Sequence, residues 1–209
     1  MYLVGITGPI ASGKTSVAKM YKEMGAYLID ADKIGHQLLE RPDIKKRIIE
    51  EFGDEILTDK GKIDREKLGA IVFSDISRLE ALNDIIQKPL VDIIKEQILE
   101  LQESGFPGIV VVDAALLPKW DIVKLMDLVL VVDAPRWQRM NRLVRQRGLP
   151  QDEAERRIEV HEELFKEFFP KQTIVVKNNG DFMELRVQAM RAWLEIKDRM
   201  RQKAEKEMK

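Results

Sequence analysis

Eight consecutive residues, Gly8-Pro9-Ile10-Ala11-Ser12-Gly13-Lys14-Thr15, fill the pattern G-x-x-x-x-G-K-[ST]. Each fixed position has a task in holding phosphate. Gly8 and Gly13 let the backbone turn tightly about an anion. The loop's backbone N–H groups form an anion nest, and the following helix adds the positive end of its dipole. The Lys14 ammonium reaches the β- and γ-phosphates of a nucleoside triphosphate, and the Thr15 hydroxyl ligates Mg²⁺. Gly8, Ala11, Ser12, Gly13, Lys14, Thr15 and Ser16 are therefore the expected nucleotide-binding set. The bland alternative is a chance glycine-rich turn. It is disfavoured because a strand precedes the motif and a helix follows it, as phosphate binding requires.

Carboxylates and arginines supply the remaining chemistry. Asp30 and Asp32 close a short apolar run with one residue between them. In extended chain they project to one side, at the strand end where open α/β sheets bind ligands. A carboxylate there can accept the proton of an attacking hydroxyl. Position alone leaves a second role for Asp32, capping a helix that begins near Lys33. Asp113 ends another apolar run and has two roles open to it, Mg²⁺ ligation through water or a helix cap. Arg136, Arg139, Arg142, Arg145, Arg147, Arg156 and Arg157 crowd one stretch. They can stabilise the charge of a transferring phosphoryl group on a mobile lid, or form a solvated helix paired with Glu153, Glu155 and Glu159. His36 reads as a surface helix residue, and Trp120, Trp137 and Trp193 as packing.

These residues need elements to hold them. Residues 2–7 and 27–30 read as strands flanking a helix over 15–24 that Gly25 ends, a βαβ unit with parallel strands. Strands return at 109–113, 128–133 and 173–177, and the first two of these are continuous apolar runs suited to burial on both faces. Between residues 31 and 106 the pattern is helical: 34–39, 44–52, 67–73 after an Asp64 N-cap, 78–86 and 90–101, with Pro89 breaking or kinking the last pair. Helices follow at 135–147 and 151–169. A long last helix is capped by Asp181 and frays after Met200, where charge dominates.

Composition narrows the class. The 209 residues carry 35 Lys+Arg against 36 Asp+Glu, a net charge of −1 that gives no basic excess for nucleic acid. Without cysteine there is no disulfide framework, thiol catalyst or Cys-ligated zinc. No eighteen-residue apolar window or basic signal-peptide start appears, so the chain reads as cytoplasmic with no membrane partner.

The phosphate loop together with Gly25-Ala26-Tyr27-Leu28-Ile29-Asp30-Ala31-Asp32 resembles the bacterial dephospho-coenzyme A kinase family. The likeness continues through Phe52-Gly53, Gly61-Lys62-Ile63-Asp64-Arg65, Ile71-Val72-Phe73, Leu82-Asn83, Val112-Asp113, Leu116-Leu117, Arg157-Ile158 and Asn178-Asn179-Gly180, so it spans nearly the whole chain in order. The resemblance implies ATP- and Mg²⁺-dependent phosphorylation of the ribose 3′-hydroxyl of dephospho-coenzyme A. It makes Asp32 the catalytic base, Arg142 the lid arginine with Arg145 as fallback, and Asn178 a residue at the adenine end, while Thr15 and Asp113 stay the metal candidates read from the phosphate loop and the strand end. It implies a five-stranded parallel sheet of order 2-3-1-4-5 with helices on both faces. The nucleotide-binding core would be 1–32, 108–134 and 170–209, the acceptor-binding helical insertion 33–107, and the lid 135–169. A monomer or weak homo-oligomer is expected. Pro9, Lys88, Ala115, Lys119, His161 and Gln172-Thr173 depart from the family pattern, mostly in the acceptor and lid regions. Lys88 and Lys119 keep open a kinase of another nucleotide or small hydroxyl acceptor; a nucleotide-binding regulator without turnover is a third reading, against which intact Lys14, Thr15 and Asp32 stand.

Overall fold

The fold is that of a computed structural model, which describes residues 1–166, 168 and 172–207, the side chains of Ser74 and Ile76 apart. Five strands, β1 (Tyr2–Thr7), β2 (Tyr27–Asp30), β3 (Ile109–Asp113), β4 (Leu128–Asp133) and β5 (Thr173–Lys177), form one parallel sheet in the order β2-β3-β1-β4-β5. β1 is central, and its six residues are all buried. Burial on both faces is why β1, β3 and β4 read as unbroken apolar runs rather than alternating ones. Tyr2, Val4 and Ile6 of β1 pack with Val17, Ala18 and Tyr21 of α1 (Lys14–Glu23) and with Leu185, Ala189 and Trp193 of α8 (Phe182–Glu207). On the opposite face a Cβ at Gly5 would meet Leu117 and Met126, so the segment after β3 lies against the strand there.

The chain divides into two compact units, residues 1–30 with 99–209, and residues 31–98. The first unit holds the sheet, α1, α6 (Arg136–Asn141), a π-helical turn over Arg142–Gln146, α7 (Gln151–Phe165) and α8. The second is built from α2 (Ala31–Leu38), α3 (Pro42–Phe52), α4 (Arg65–Ser74) and most of α5 (Ile76–Glu103). Its core gathers Ile34, Leu38, Ile44, Ile48, Phe52, Ile56 and Ile63. Asp64 caps α4 by accepting from the N–H groups of Glu66 and Lys67. A single antiparallel bridge, Leu57 to Ile63, closes the turn before it.

Three expectations change. The two helices anticipated on either side of Pro89 are one, α5, running through the proline. A helix-interior proline costs about 3 kcal/mol. Burial of Ile85, Leu90, Ile94 and Ile98, at roughly 1.5–3 kcal/mol each, outweighs it. The last helix continues through Glu207 instead of fraying after Met200. Lys203 ties it back to Asp127 at 2.7 Å, and Asp127 in turn accepts the Leu3 N–H. Trp137 is 66% exposed and packs into no core, whereas Trp120 and Trp193 are buried as expected. Asp181 caps α8 by accepting the Glu184 N–H at 2.9 Å. The end of α7 anticipated at Phe169 and the lid boundary at 169/170 fall outside the described residues.

Candidate functional site

The phosphate loop leaves β1 at Thr7 and enters α1 at Lys14. Two glycines are required by close approach. A Cβ on Gly8 would run into the Val132 carbonyl oxygen, and one on Gly13, whose φ is 99°, would strike the Asn178 amide. Ala11 is the one non-glycine residue with positive φ, 60°, among those described. That conformation costs an alanine free energy, so surrounding contacts must hold it.

Arg142 and Asn178 supply those contacts. The Arg142 guanidinium donates to the carbonyl oxygens of Ala11 at 2.9 Å and Ser12 at 3.3 Å. The buried Asn178 amide donates to the same Ser12 carbonyl at 2.7 Å. The Ser12 N–H closes a turn onto the Pro9 carbonyl at 3.1 Å, and with the Ala11 and Ser12 carbonyls drawn to these donors the loop turns no carbonyl of that pair toward an anion at the α1 N-terminus. No side chain caps α1, and its first turn holds no acidic residue, so its positive end is unopposed. The Ser12 hydroxyl oxygen is buried without a hydrogen-bond partner. An orphaned polar atom inside a nest of donors fits a phosphate ligand.

Lys14 and Asp113 form a buried ion pair, with side chains 9% and 3% exposed. Asp113 ends β3 in register with Ile6 of β1 and Asp30 of β2, so it sits beside the loop at the carboxyl edge of the sheet. The helix-cap alternative for Asp113 fails, because the next helical turn starts at Leu117. Thr15 is exposed on the first turn of α1. Among the described residues no group of three or more His, Asp or Glu side chains could cage a metal. Mg²⁺ does not need one, since it keeps several waters and takes one or two protein oxygens beside the nucleotide's own. A hydroxyl at Thr15 and a carboxylate at Asp113 fit that requirement.

A cavity of about 410 Å³ opens beside the loop, lined by Gly13, Ser16, Arg142, Arg147, Asn178 and Phe182 among others. Of these, Arg147 was anticipated only as one of the crowded arginines and not as a cavity residue, and Phe182 was not anticipated. Their signal is weak: each sits just past a structural break, the π turn or the end of β5, at the sheet edge where ligands bind. Gln138 was also missed. It is buried, accepts from Arg142 at 3.3 Å and donates to the Asn179 carbonyl, so it fixes both sides of the cavity mouth. Burial lowers the pKa of the Arg142 guanidinium from its ordinary value. Arg145 is exposed and does not line the cavity.

The other arginines divide. Arg136 pairs with Glu155, Glu159 and Glu162, Arg139 with Glu162, Arg156 with Asp152 and Arg157 with Glu153. These pairs join α6 to α7 or lie along α7. Ala154 and Ile158 of α7 pack on Leu143, with Ile10 and Ala11 of the phosphate loop against the same cluster. Asp30 ends β2, half-buried, and Asp32 is the exposed second residue of α2. The helix begins at Ala31, so Asp32 lies inside its first turn and does not stand before it as an N-cap. His36 is exposed on α2, as anticipated.

A parallel 2-3-1-4-5 sheet with a phosphate loop between its first strand and helix, and a buried Lys–Asp pair at its carboxyl edge, defines a P-loop kinase fold. A solved Thermus thermophilus protein, TT1252, superposes with a TM-score of 0.71 at 27% identity, covering 93% of this chain and 96% of its own. The dephospho-CoA kinase of Campylobacter jejuni does so at 0.62 and 24% identity over 93% and 96%. The family model of dephospho-CoA kinase matches residues 2–184. The dephospho-CoA kinase of Dehalococcoides mccartyi is 36% identical over 186 residues, 89% of this chain and 93% of that protein. The chain belongs to the dephospho-CoA kinase family.

Proposed function

We propose that the protein transfers the γ-phosphoryl group of ATP to the ribose 3′-hydroxyl of dephospho-CoA, giving CoA and ADP, the last step of CoA biosynthesis. The match to the family from residue 2 to 184, which takes in the phosphate loop, Asp30 at the end of β2, Asp32 and the arginine-bearing helices, carries this reading. The loop N–H groups and Lys14 bind the donor's phosphates, and the cavity between Arg142, Arg147 and Asn178 takes its nucleoside. Bound Mg²⁺ supplies charge neutralisation on the phosphate oxygens, and Thr15 and Asp113 are the residues to hold it. Asp32 accepts the proton of the 3′-hydroxyl, and Asp30 orients it or the acceptor. Residues 33–107 hold the acceptor, and residues 135–169 act as the lid.

The departures from the family pattern do not weigh against this acceptor. Lys88 is 85% exposed and pairs with Asp92 along α5, and Lys119 is exposed after β3. The near-zero net charge supports a small-molecule acceptor over nucleic acid. No helix among the described residues is long and apolar enough to cross a membrane, and the cytoplasm is the proposed location. A coupled ADP-release assay across dephospho-CoA, adenosine and nucleoside monophosphates tests the reading. Turnover is expected with dephospho-CoA alone. Faster turnover with another acceptor overturns the assignment, and no turnover with any acceptor would make the protein a nucleotide-binding regulator.

The placement of Arg142 yields a separate prediction. Its bonds to Ala11 and Ser12 hold the loop in shape before any ligand arrives, and hydrogen bonds from a charged group are worth about 1.5–3 kcal/mol. Arg142→Ala is expected to weaken binding of both ATP and inorganic tripolyphosphate by roughly ten- to a hundredfold. Calorimetric titration with each ligand checks this. If Arg142 only walls the nucleoside cavity, ATP binding falls and tripolyphosphate binding does not.

A further inference from the structure

α8 is apolar on two opposite faces. Leu185, Ala189, Ala192, Trp193 and Ile196 are buried against the sheet side. Met183, Val187, Met190 and Leu194, at steps of four, three and four residues, are 61%, 49%, 39% and 57% exposed. At about 100° per residue the two stripes are centred roughly 145° apart. A surface helix normally turns charged residues outward at that position, so an outward apolar seam calls for a partner. The step pattern is that of the a and d positions of a two-helix seam.

We propose that this face of α8 pairs with the same face of a second copy, antiparallel across a two-fold axis. The charges beside the seam select both the occupant and its direction. With Val187 set against Met190 of the second copy and Met183 against Leu194, Glu184 falls beside Arg191 of the second copy. The two-fold axis then makes that ion pair twice. Both residues are exposed. A parallel arrangement instead brings Arg186 against Arg191 of the second copy, two cations in contact. The seam ends after Leu194, where Lys197 and Arg201 take the next positions. A contact of four apolar residues a side is small, so the dimer is reversible and depends on concentration.

Sedimentation velocity on the full chain, from micromolar to near-millimolar, tests this. The wild type should shift from monomer to dimer as concentration rises. Val187→Glu and Leu194→Glu should each hold it monomeric with an unchanged melting temperature and unchanged turnover, since both positions are exposed and outside the nucleotide site. Glu184→Arg should weaken the dimer by about tenfold or more, because it replaces two ion pairs with two repulsions. Adding Arg191→Glu to that variant should restore the dimer, an outcome that a merely apolar association would not give. A wild type monomeric at every concentration overturns the proposal. So does a dimer indifferent to Val187→Glu, or a double charge swap that fails to rescue. Flotation with phosphatidylglycerol vesicles adds one more arm: a monomer whose vesicle binding is lost in Val187→Glu would show that a lipid surface covers the face instead.

Discussion

Lys14→Met is expected to abolish turnover and to lower the melting temperature together. The substitution keeps the volume and drops the charge. Removing one preorganised charge from a phosphoryl-transfer site costs roughly 10²–10³-fold or more in kcat, and ATP binding weakens as well because the same ammonium contacts the ground-state phosphates. The stability effect comes from Asp113. Its carboxylate is buried against Lys14, and taking the cation out of a buried pair costs about 3 kcal/mol at the low end. That corresponds to a fall of roughly 6–12 °C for a chain of this size. The double variant Lys14→Met with Asp113→Asn separates the two consequences. Asn keeps the shape without the charge, so the melting temperature should recover while turnover stays lost. Wild-type turnover in Lys14→Met would remove the phosphate-loop assignment. An unchanged melting temperature in the single variant would mean that Lys14 and Asp113 do not depend on each other in the free protein.

This pair marks where reading the chain residue by residue reaches its limit. Lys14 and Asp113 are each recognisable from local pattern, one by the glycines around it and the other as the acid that ends an apolar strand. That they meet depends on β1 and β3 lying side by side in register, which no local pattern encodes. The same holds for Arg142. A row of arginines is legible, but the one that braces the loop is chosen by the positive φ at Ala11 and by the π turn that aims residue 142 at two carbonyls. Caps were legible at Asp64 and Asp181, because a short acceptor side chain before an apolar period has few other uses. The start of α2 was not legible. β2 passes straight into that helix at Ala31 without a loop, so the usual punctuation is missing and position alone leaves a cap at Asp32 open beside the role of base. Pro89 misled in the other direction, since its local cost is plain and the burial that overrides it is spread along α5.

Asp32→Asn should lower kcat by roughly 10²–10⁴-fold, the range for a lost general base. The lower end is favoured because the phosphoryl-transfer transition state is loose and proton removal from the hydroxyl is incomplete there. ATP affinity should stay near wild type, since in the proposed site the loop N–H groups and Lys14, not Asp32, hold the donor. Stability should hardly move. Asp32 is exposed in the first turn of α2, where a negative charge gains about 0.3–1 kcal/mol from the helix dipole and salt screens much of that. Asn gives up the charge and keeps the shape, so the melting temperature should shift by no more than about 1–3 °C. This small stability effect makes the variant a clean test, because a large rate loss cannot then be traced to unfolding. Asp30→Asn is the control. As an orienting residue, Asp30 should cost less in kcat than Asp32 and more in KM for the acceptor. Single-turnover rates and melting curves on both variants decide between them. A fully active Asp32→Asn protein with a crippled Asp30→Asn would move the base two residues back, to the strand carboxylate in register with Asp113. Full activity in both would leave proton removal to solvent and confine the protein's contribution to positioning and charge.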